Sequence, residues 1–286
     1  MRLKVALSIA LIVLFWASSF VAIKIGLEDI SAMNLTLGRF IISSVTLGIL
    51  AIIYRPARIQ KKDRMRFILA SLSGVVIYNI ALNYGQQSVS VGSASFLINT
   101  VPMLTTLLSF LILKEPIRIQ TAVGIFVSTV GIALITLSES VDFKLNTGIL
   151  LVLGAALSQA VFFIVQKPLL TRYSPFTVIS YSVWLGTLFL LPFSGDIMQI
   201  QSASAPTIVS LFYLGIIAGA VGYLVWAFVL SKMTASKAAS FLYFVPVVSI
   251  ILSFFLVGET PSALLIIGGA IAILGVYIIN RKGPKA

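Results

Sequence analysis

Ten long runs of apolar residues limit what this chain can fold into. Each run is about 18 to 26 residues long, and a helix of that length crosses the roughly 30 Å hydrocarbon layer of a membrane. Lipid offers no hydrogen bonds to the backbone, so such runs predict helices, which pair their N–H and C=O groups internally. The predicted spans are residues 5–26, 33–54, 67–84, 91–113, 120–137, 148–166, 176–193, 205–230, 238–257 and 263–280.

The composition agrees with a membrane solvent and removes several kinds of chemistry. Hydrophobic residues make up 59% of the chain and charged residues only 10%, whereas a soluble domain has about 25% charged residues. The sequence has no cysteine and no histidine, and therefore no thiolate and no imidazole. It has no Walker-type loop, and no acidic residue lies deep in a predicted span. We therefore expect no metal, no cofactor, no direct use of ATP and no enzymatic activity.

The positive charges predict the orientation of the chain in the membrane. With the N-terminus in the cytoplasm, the cytoplasmic ends of the spans hold all twenty Lys and Arg residues except Lys24, Arg39 and Lys144. Short loops rich in Lys and Arg stay on the cytoplasmic side, so both termini are predicted to be cytoplasmic. This pattern also explains the net charge of +12, so we expect contact with membrane lipid and not with nucleic acid.

The same pattern is written twice, 144 positions apart. Residues 93–116 form an apolar run that contains a proline and ends in Lys-Glu-Pro, and residues 237–261 repeat it. Eight identical pairs in one gapless register over about 38 positions indicate an internal duplication, with repeats at residues 1–140 and 147–283. Because five spans per repeat is an odd number, the repeats must face opposite ways. The predicted fold is an all-α membrane protein with ten transmembrane helices in two inverted-topology five-helix repeats, which places a transported solute near the midplane.

Pro102 and its repeat partner Pro246 lie in the middle of the fourth and ninth spans. Each proline removes one backbone hydrogen bond and can kink a helix. Two interpretations stay open at this point. The pair is either a set of hinges for alternating access or two static kinks whose freed carbonyl groups are bonded by neighbouring helices.

Polar and aromatic residues inside the spans predict a cavity. Asn79, Asn83 and Gln87 lie on one face of the third span; they either line a cavity or bond neighbouring helices, which is worth about 0.6 kcal/mol per bond. Aromatic residues either join that cavity, where they suit a solute with an apolar part and a polar head, or contact lipid. Three amides on one face favour the cavity. The predicted substrate-binding residues are Trp16, Ser19, Tyr78, Asn79, Asn83, Asn99, Gln159, Phe163, Gln166, Tyr223, Trp226 and Tyr243.

Two cations lie near the outer ends of the first two spans, Lys24 and Arg39. A cation at the centre of a membrane helix costs about 2.5 to 3.5 kcal/mol on insertion scales, and a long side chain relieves part of that cost by reaching the interface. We expect Arg39 to pair with Glu28 or Asp29. Lys24 is a candidate contact for an anionic solute.

The sequence resembles the EamA-type members of the drug/metabolite transporter superfamily over nearly its whole length. The resemblance rests on WASSF at residues 16–20, Arg-Phe at 39–40, and the glutamate-containing stops KEP at 114–116 and GETP at 258–261. The second copy departs at its start, where residues 159–163 read QAVFF without the tryptophan. The family resemblance implies two EamA domains of five helices each and, with no extra targeting segment, a multi-pass protein of the inner (plasma) membrane.

The resemblance also implies a transporter of small organic metabolites. We expect an exporter of amino acids or similar amphipathic solutes that works by alternating access at a central cavity between the repeats. The alternative is an exchanger of anionic metabolites, phosphorylated or carboxylate, that uses Lys24. A scaffold or sensor bundle has no use for a repeated pair of prolines. The expected partners are a small-molecule substrate and membrane lipid, and the expected oligomeric state is a monomer.

Overall fold

The structure, a computed structural model, describes residues 3–116, 119–138, 147–193 and 197–280. The predicted repeat limits at residues 1, 140 and 283 lie outside these ranges, as does Lys144. Every regular element within them is helical. The helices are α1 (Leu3–Gly26), α2 (Ala32–Tyr54), α3 (Lys61–Gly85), α4 (Val91–Leu113), α5 (Ile119–Ser138), α6 (Thr147–Leu169), α7 (Pro175–Phe193), α8 (Ala205–Lys232), α9 (Ala235–Val257) and α10 (Ala263–Asn280), with a short 3-10 helix at Ile197–Ser202.

Eight of these helices are long and apolar enough to cross a membrane, namely α1 to α4 and α6 to α9. The other two, α5 and α10, are apolar over Ile119–Gly131 and Ala263–Ile279. Large hydrophobic side chains such as Ile52 and Phe255 are exposed on the outside of the bundle, where lipid is the solvent that suits them. Each predicted span overlaps one of the ten helices.

Hydroxyl side chains start several of the helices. The side chain of Ser90 accepts a hydrogen bond from the backbone N–H of Ser93 at the start of α4, and Thr234 does the same for Lys237 at the start of α9. Positions 90 and 234 are 144 residues apart. Such N-caps satisfy an N–H group that the helix itself leaves without a partner, so the two helices begin at corresponding residues for the same local reason.

The helices α4 and α9 are broken rather than kinked at their prolines. In α4 the pieces Val91–Ile98 and Val101–Leu113 are separated by a turn, and in α9 the residues Phe241–Phe244 form a 3-10 segment. Pro102 and Pro246 each lie in the first turn of the piece that follows. A proline has no N–H to donate, and the first turn of a helix is where that loss costs nothing. Their role as hinges stays a prediction.

Two wide π-helical segments interrupt α3 and α8, at Leu72–Ile77 and Tyr213–Val221. A shift of 144 positions places the first segment inside the second. π-helical segments are rare in proteins, and those that do occur are often found at functional sites. Each segment has several buried residues, such as Val75 in the first and Gly219 in the second. A Cβ atom added at Gly74 would clash with Phe162. No residue pattern in the sequence predicted them.

The helices α5 and α10 cross at two close contacts that are equivalent to each other in the two repeats. A Cβ atom added at Gly131 would lie 2.5 Å from the carbonyl oxygen of Gly268, and one added at Gly124 would clash with Gly275. Between these two points Ser128 Oγ donates to the carbonyl oxygen of Ala272 at 3.1 Å. The repeat equivalents of Gly131 and Gly268 are Gly275 and Gly124, so the two close contacts are equivalent, and Ser128 bonds its own equivalent Ala272 between them. This is the geometry of a two-fold axis.

The glutamates after α4 and α9 bind each other's helices reciprocally. Glu115 accepts hydrogen bonds from the backbone N–H groups of Ala235, at 3.1 Å, and Ser236, at 3.4 Å, in the first turn of α9. Glu259 accepts one from the N–H of Val91, at 3.2 Å, in the first turn of α4. Val91 and Ala235 are themselves 144 residues apart. A carboxylate at a helix N-terminus is favoured by the helix dipole, so these contacts tie the two helices together at both ends.

A buried carboxylate joins two loops at the end of the bundle where α1 begins. Asp63 is fully buried and accepts a hydrogen bond from Arg172 Nη1 at 2.5 Å and another from the Tyr173 hydroxyl at 3.0 Å. The Tyr173 hydroxyl accepts in turn from the backbone N–H of Gln60 at 3.0 Å. The segment before α3 is therefore held to the segment between α6 and α7.

Candidate functional site

A small cavity lies in the middle of the bundle, beside the breaks in α4 and α9. Its volume, counted as the space open to the centre of a water molecule, is about 30 Å³, and one bound water needs about 10 to 15 Å³ of such space. Of the twelve predicted substrate-binding residues, Trp16, Ser19, Tyr78, Asn99 and Gln159 line it. Apolar residues complete the wall: Phe20, Ile98, Val101, Leu242 and Val245.

Two amide side chains give this cavity its polar character. Asn99 lies in the break of α4 and is 2% exposed, and Gln159 lies on α6 and is 3% exposed. The Asn99 Nδ2 and the Gln159 Oε1 are buried and have no hydrogen-bond partner among the described residues. A buried polar atom without a partner costs about 1 to 3 kcal/mol. The cavity therefore presents one donor and one acceptor that a polar solute can satisfy.

An aromatic layer lies behind the Trp16 side of the cavity. The Trp16 ring stacks on Phe163 at 6.2 Å between centroids and lies 5.3 Å from Trp226 and 6.2 Å from Tyr223. The Phe163 and Trp226 rings are 4.2 Å apart. The predicted residues Phe163, Tyr223 and Trp226 thus pack against a residue of the cavity wall instead of forming that wall themselves. They hold the Trp16 ring in place.

Asn79 and Tyr223 occupy equivalent positions of the two repeats, 144 residues apart, and their side chains contact each other. Asn79 Nδ2 donates to the Tyr223 hydroxyl at 3.4 Å and to the carbonyl oxygen of Val75 at 2.9 Å. The Tyr223 hydroxyl donates to the carbonyl oxygen of Gly74 at 2.8 Å. Both carbonyl groups belong to the π segment of α3. The side chains that the sequence assigned to a solute are here used to satisfy the backbone of that segment.

The predicted stripe of amides on α3 is divided among different neighbours. Asn83 donates to Thr36 Oγ1 on α2 at 2.7 Å, which is the interhelical bond that the sequence left as the alternative. Gln87 is exposed beyond the end of α3, and Gln86 is the buried residue there, donating to the carbonyl oxygen of Phe20 at 2.6 Å. Asn83 is therefore outside the cavity wall in this conformation.

Two more predicted residues, Gln166 and Tyr243, are also buried outside the cavity wall. Gln166 on α6 is fully buried, and neither of its side-chain polar atoms has a hydrogen-bond partner among the described residues. Tyr243 lies in the 3-10 segment of α9 and is 1% exposed. Their assignment to substrate binding stays a prediction.

Lys24 lies apart from this cavity. It is half-buried and lines a second pocket of about 310 Å³ with Leu27, Glu28, Gln86 and Gln87, at the end of the bundle where α1 ends. Glu28 shares that pocket, so the charge that an anion would meet there is not purely positive. Gln86, which lines this pocket, donates a hydrogen bond to the backbone carbonyl of Phe20, a residue of the cavity wall.

The predicted pairing of Arg39 with Glu28 or Asp29 is wrong. Arg39 is 4% exposed and takes part in neither of the two ion pairs among the described residues. Asp29 instead accepts hydrogen bonds from the Ser204 hydroxyl, from Thr207 Oγ1 at 2.6 Å and from the backbone N–H of Ser204 at 2.9 Å, and these bonds lower the pKa of its carboxyl group. The reason is rotation of the helix: α2 turns Arg39 toward the bundle interior, and the sequence alone carries no signal for that rotation.

Comparison with known proteins identifies the family. The model of the EamA-like transporter family matches the chain twice, over residues 3–137 and 146–281. The chain belongs to the EamA-like transporter family. The resemblance inferred from the motifs is thereby confirmed, and this EamA protein is a multi-pass membrane transporter of metabolites.

Relatives of this EamA protein match over almost its full length. A probable terminal-alkyne amino-acid exporter of Streptantibioticus cattleyicolor is 33% identical over 98% of this chain and 94% of the relative. The uncharacterised transporter YdfC of Bacillus subtilis is 32% identical, over 99% and 92% of the two chains. A probable amino-acid metabolite efflux pump of Salmonella typhimurium is 26% identical, over 94% and 92%. A solved crystal structure with a TM-score of 0.72 covers 98% of this chain and 97% of its own at 17% identity, and therefore shows the same fold.

Proposed function

We propose that this EamA protein exports amino acids or similar amphipathic solutes by alternating access at the cavity beside α4 and α9. In this proposal all ten helices cross the inner (plasma) membrane as two inverted repeats, and both termini are cytoplasmic. The protein works as a monomer, with its substrate and lipid as partners. The observation that carries the proposal is that Asn99 Nδ2 and Gln159 Oε1, on residues that line the mid-bundle cavity together with Trp16, have no hydrogen-bond partner in the described part of the chain.

The inverted arrangement is supported by the contacts between the repeats. The two glutamates bind the first turns of α4 and α9 reciprocally, and α5 and α10 cross through equivalent glycines. Antiparallel elements that swap identical contacts are what a two-fold axis in the membrane plane requires. In such transporters the solute binds near the midplane, and we place this cavity there because Trp16, Asn99 and Gln159 lie near the middle of α1, α4 and α6.

The chemistry of the cavity suits a zwitterion with an apolar side chain. Gln159 Oε1 can accept hydrogen bonds from an ammonium group, Asn99 Nδ2 can donate to an oxygen, and the Trp16 ring offers an apolar face. The names of two relatives, an amino-acid exporter and an amino-acid metabolite efflux pump, agree with this class of solute.

In this proposal the small volume of the cavity assigns the conformation to a closed state of the transport cycle. Pockets that bind small molecules have volumes of about 300 to 1,000 Å³, and this cavity has about 30 Å³. An amino acid does not fit, so the conformation is a closed one and the walls must move apart for transport. The breaks before Pro102 and Pro246 are where we place that movement, because the chain there has no continuous helical hydrogen bonding.

The test is efflux of labelled amino acids from proteoliposomes that contain the parent protein, Asn99→Leu or Asn34→Leu. Asn34 is the matched control: it is a buried amide in the first turn of α2 that bonds Gln199 at 3.0 Å and does not line the cavity. We expect Asn99→Leu to raise KM by about tenfold or more and Asn34→Leu to leave KM unchanged. If the parent moves no amino acid, the proposed function fails. If both variants behave alike, the cavity is not the site.

The same proteoliposomes distinguish the alternative exchanger. Transport restricted to phosphorylated or carboxylate metabolites, and abolished in Lys24→Gln, would replace amino-acid export by anion exchange. The presence of Glu28 beside Lys24 makes us expect no effect of Lys24→Gln on amino-acid efflux.

A further inference from the structure

Arg39 is a cation buried inside the bundle, and no acidic residue in the described part of the chain forms an ion pair with it. It is 4% exposed, and its Nε is fully buried with no hydrogen-bond partner among the described residues. The acidic residues nearest in sequence, Glu28 and Asp29, lie beyond the end of α1, and Asp29 is held by Ser204 and Thr207. Among residues 3–116, 119–138, 147–193 and 197–280, the cation therefore lacks the pairing that buried charges ordinarily have.

The fold holds this cation in place at a cost. The helix α2 begins at Ala32, so Arg39 lies two turns inside it, and the residue is only 4% exposed. The contact that the structure does provide is the Phe40 ring, whose centroid is 5.4 Å from the Arg39 Cζ. A cation–π contact is worth about 0.5 to 2 kcal/mol, less than the cost of a cation inside the membrane. A charge kept under these conditions indicates a ligand-binding role.

The surroundings of Arg39 connect it to the cavity. Arg39 lies within electrostatic range of the Tyr78 and Tyr223 side chains. Tyr78 lines the cavity, and the Tyr223 ring lies 6.2 Å from the ring of Trp16, which also lines it. The Phe40 ring beneath the guanidinium packs edge-on against Tyr223 at 6.3 Å. Arg39 thus lies one side chain behind the cavity wall.

We propose that Arg39 is the carboxylate-binding residue of this transporter. A guanidinium binds a carboxylate through two parallel hydrogen bonds, and a carboxylate supplies the missing counter-charge. The proposal rests on the proposed function and deepens it: the solute is an α-amino acid with a free carboxylate. That carboxylate reaches Arg39 when Tyr78 moves aside as the cavity opens, the ammonium group faces Gln159, and the apolar side chain lies on Trp16.

The experiment compares a carboxylate with its uncharged amide. Parent, Arg39→Gln, Arg39→Lys and Lys232→Gln are each reconstituted, and transport of L-leucine and of L-leucinamide is measured. Lys232 is the matched control, because it is an exposed cation whose Nζ lies 5.4 Å from the Phe228 ring centroid. In Arg39→Gln we expect the ratio of leucine to leucinamide transport to fall at least about tenfold. In Arg39→Lys we expect a smaller fall in this ratio, because the charge stays but the two parallel hydrogen bonds of the guanidinium are lost. In Lys232→Gln we expect no change in the ratio.

A purely structural role predicts something else. If Arg39 only stabilises the fold, Arg39→Gln lowers the transport of both solutes equally and the ratio stays at its parent value, which overturns the proposal. If Arg39→Gln does not fold, the Arg39→Lys ratio decides, and an unchanged ratio again overturns it.

A melting experiment separates this proposal from the proposed function. Parent and Arg39→Lys are melted in detergent with and without 4-methylpentanoate, a carboxylate that has no ammonium group. We expect the carboxylate to raise the Tm of the parent and to raise that of the variant less. This result would support carboxylate binding at Arg39 even if the parent moved no amino acid. A parent Tm that does not respond, or responds equally in the variant, overturns the proposal.

Discussion

Replacing Glu115 and Glu259 by glutamine, singly and together, should cost stability additively. Each carboxylate bonds the first turn of the opposite helix, Glu115 on α9 and Glu259 on α4, where Glu259 also accepts from Ser253 Oγ at 2.8 Å. Glutamine keeps one acceptor oxygen of similar reach and removes the charge. The change therefore isolates the charged part of the interaction.

The magnitude follows from the geometry. A hydrogen bond to a charged group contributes about 1.5 to 3 kcal/mol, and the helix dipole adds about 0.3 to 1 kcal/mol. Both glutamates are half-buried, and the glutamine retains a neutral bond, so we expect a loss of about 1 kcal/mol at each site. For a chain of this size that loss lowers Tm by about 2 °C. The sites are separated by the 23 residues of α4, about 34 Å, and share no bonding partner, so the double variant should lose about 4 °C.

The assay is thermal melting of the purified protein in detergent. Glu28→Gln is the control, because Glu28 is exposed, and its Tm should equal that of the parent. If the Tm of the double variant is no lower than that of the less stable single variant, the two carboxylates do not stabilise the helix ends independently. Single variants that melt like Glu28→Gln would show that the carboxylates do not stabilise these helix starts.

Three further predictions concern packing, a buried carboxylate and pH. Gly131→Leu should prevent α5 from packing on α10, because a Cβ atom at this position lies 2.5 Å from a carbonyl oxygen. Gly154→Leu is the control, because a Cβ atom there has no heavy atom within 4 Å. In a fluorescence size-exclusion assay the control should give the folded peak of the parent, and Gly131→Leu should lose that peak. Asp63→Asn should lower Tm by about 4 °C, the effect of about 2 kcal/mol for losing a fully buried acceptor, whereas Arg66→Gln, whose contact with it is 3.8 Å long and exposed, should not. Hydrogen bonds lower the pKa of Asp29 in the folded protein, so its stabilising contribution is complete above its ordinary pKa of 3.8 and is lost as pH falls below it. Melting the parent and Asp29→Asn at pH 7 and pH 3.5 should therefore give a difference that shrinks at the lower pH.

The candidate site shows how far residue patterns lead. The amides of α3 share one helical face, which is a local property, and the sequence identified that face correctly as buried at Asn79 and Asn83. It did not identify what each amide would meet: a π segment for Asn79 and Thr36 for Asn83. The one amide pair that does face the cavity, Asn99 and Gln159, comes from different repeats, and its convergence depends on how α4 and α6 pack.

The position of a charged residue was also beyond what the sequence could predict. A cation near the end of an apolar run predicts pairing with the nearest acidic residues, and this expectation failed for Arg39. The helix turns by about 100° per residue, so a small rotation of α2 exchanges the lipid-facing, loop-facing and interior positions of a single long side chain. Only contacts with neighbouring helices choose among these rotations.

What the sequence determined by itself was where the helices lie and that the chain is repeated. Lipid requires every backbone group to be bonded within its own segment, so the length of an apolar run is enough to locate a helix, and a 144-residue register is visible wherever the two copies are compared. What only the tertiary structure decided was the set of contacts between helices: the reciprocal glutamate caps, the glycine crossing, the π segments and the interior position of Arg39. These depend on hydrogen-bond distances near 3 Å between atoms far apart in the chain, and therefore on rotations and crossing angles that no single segment specifies.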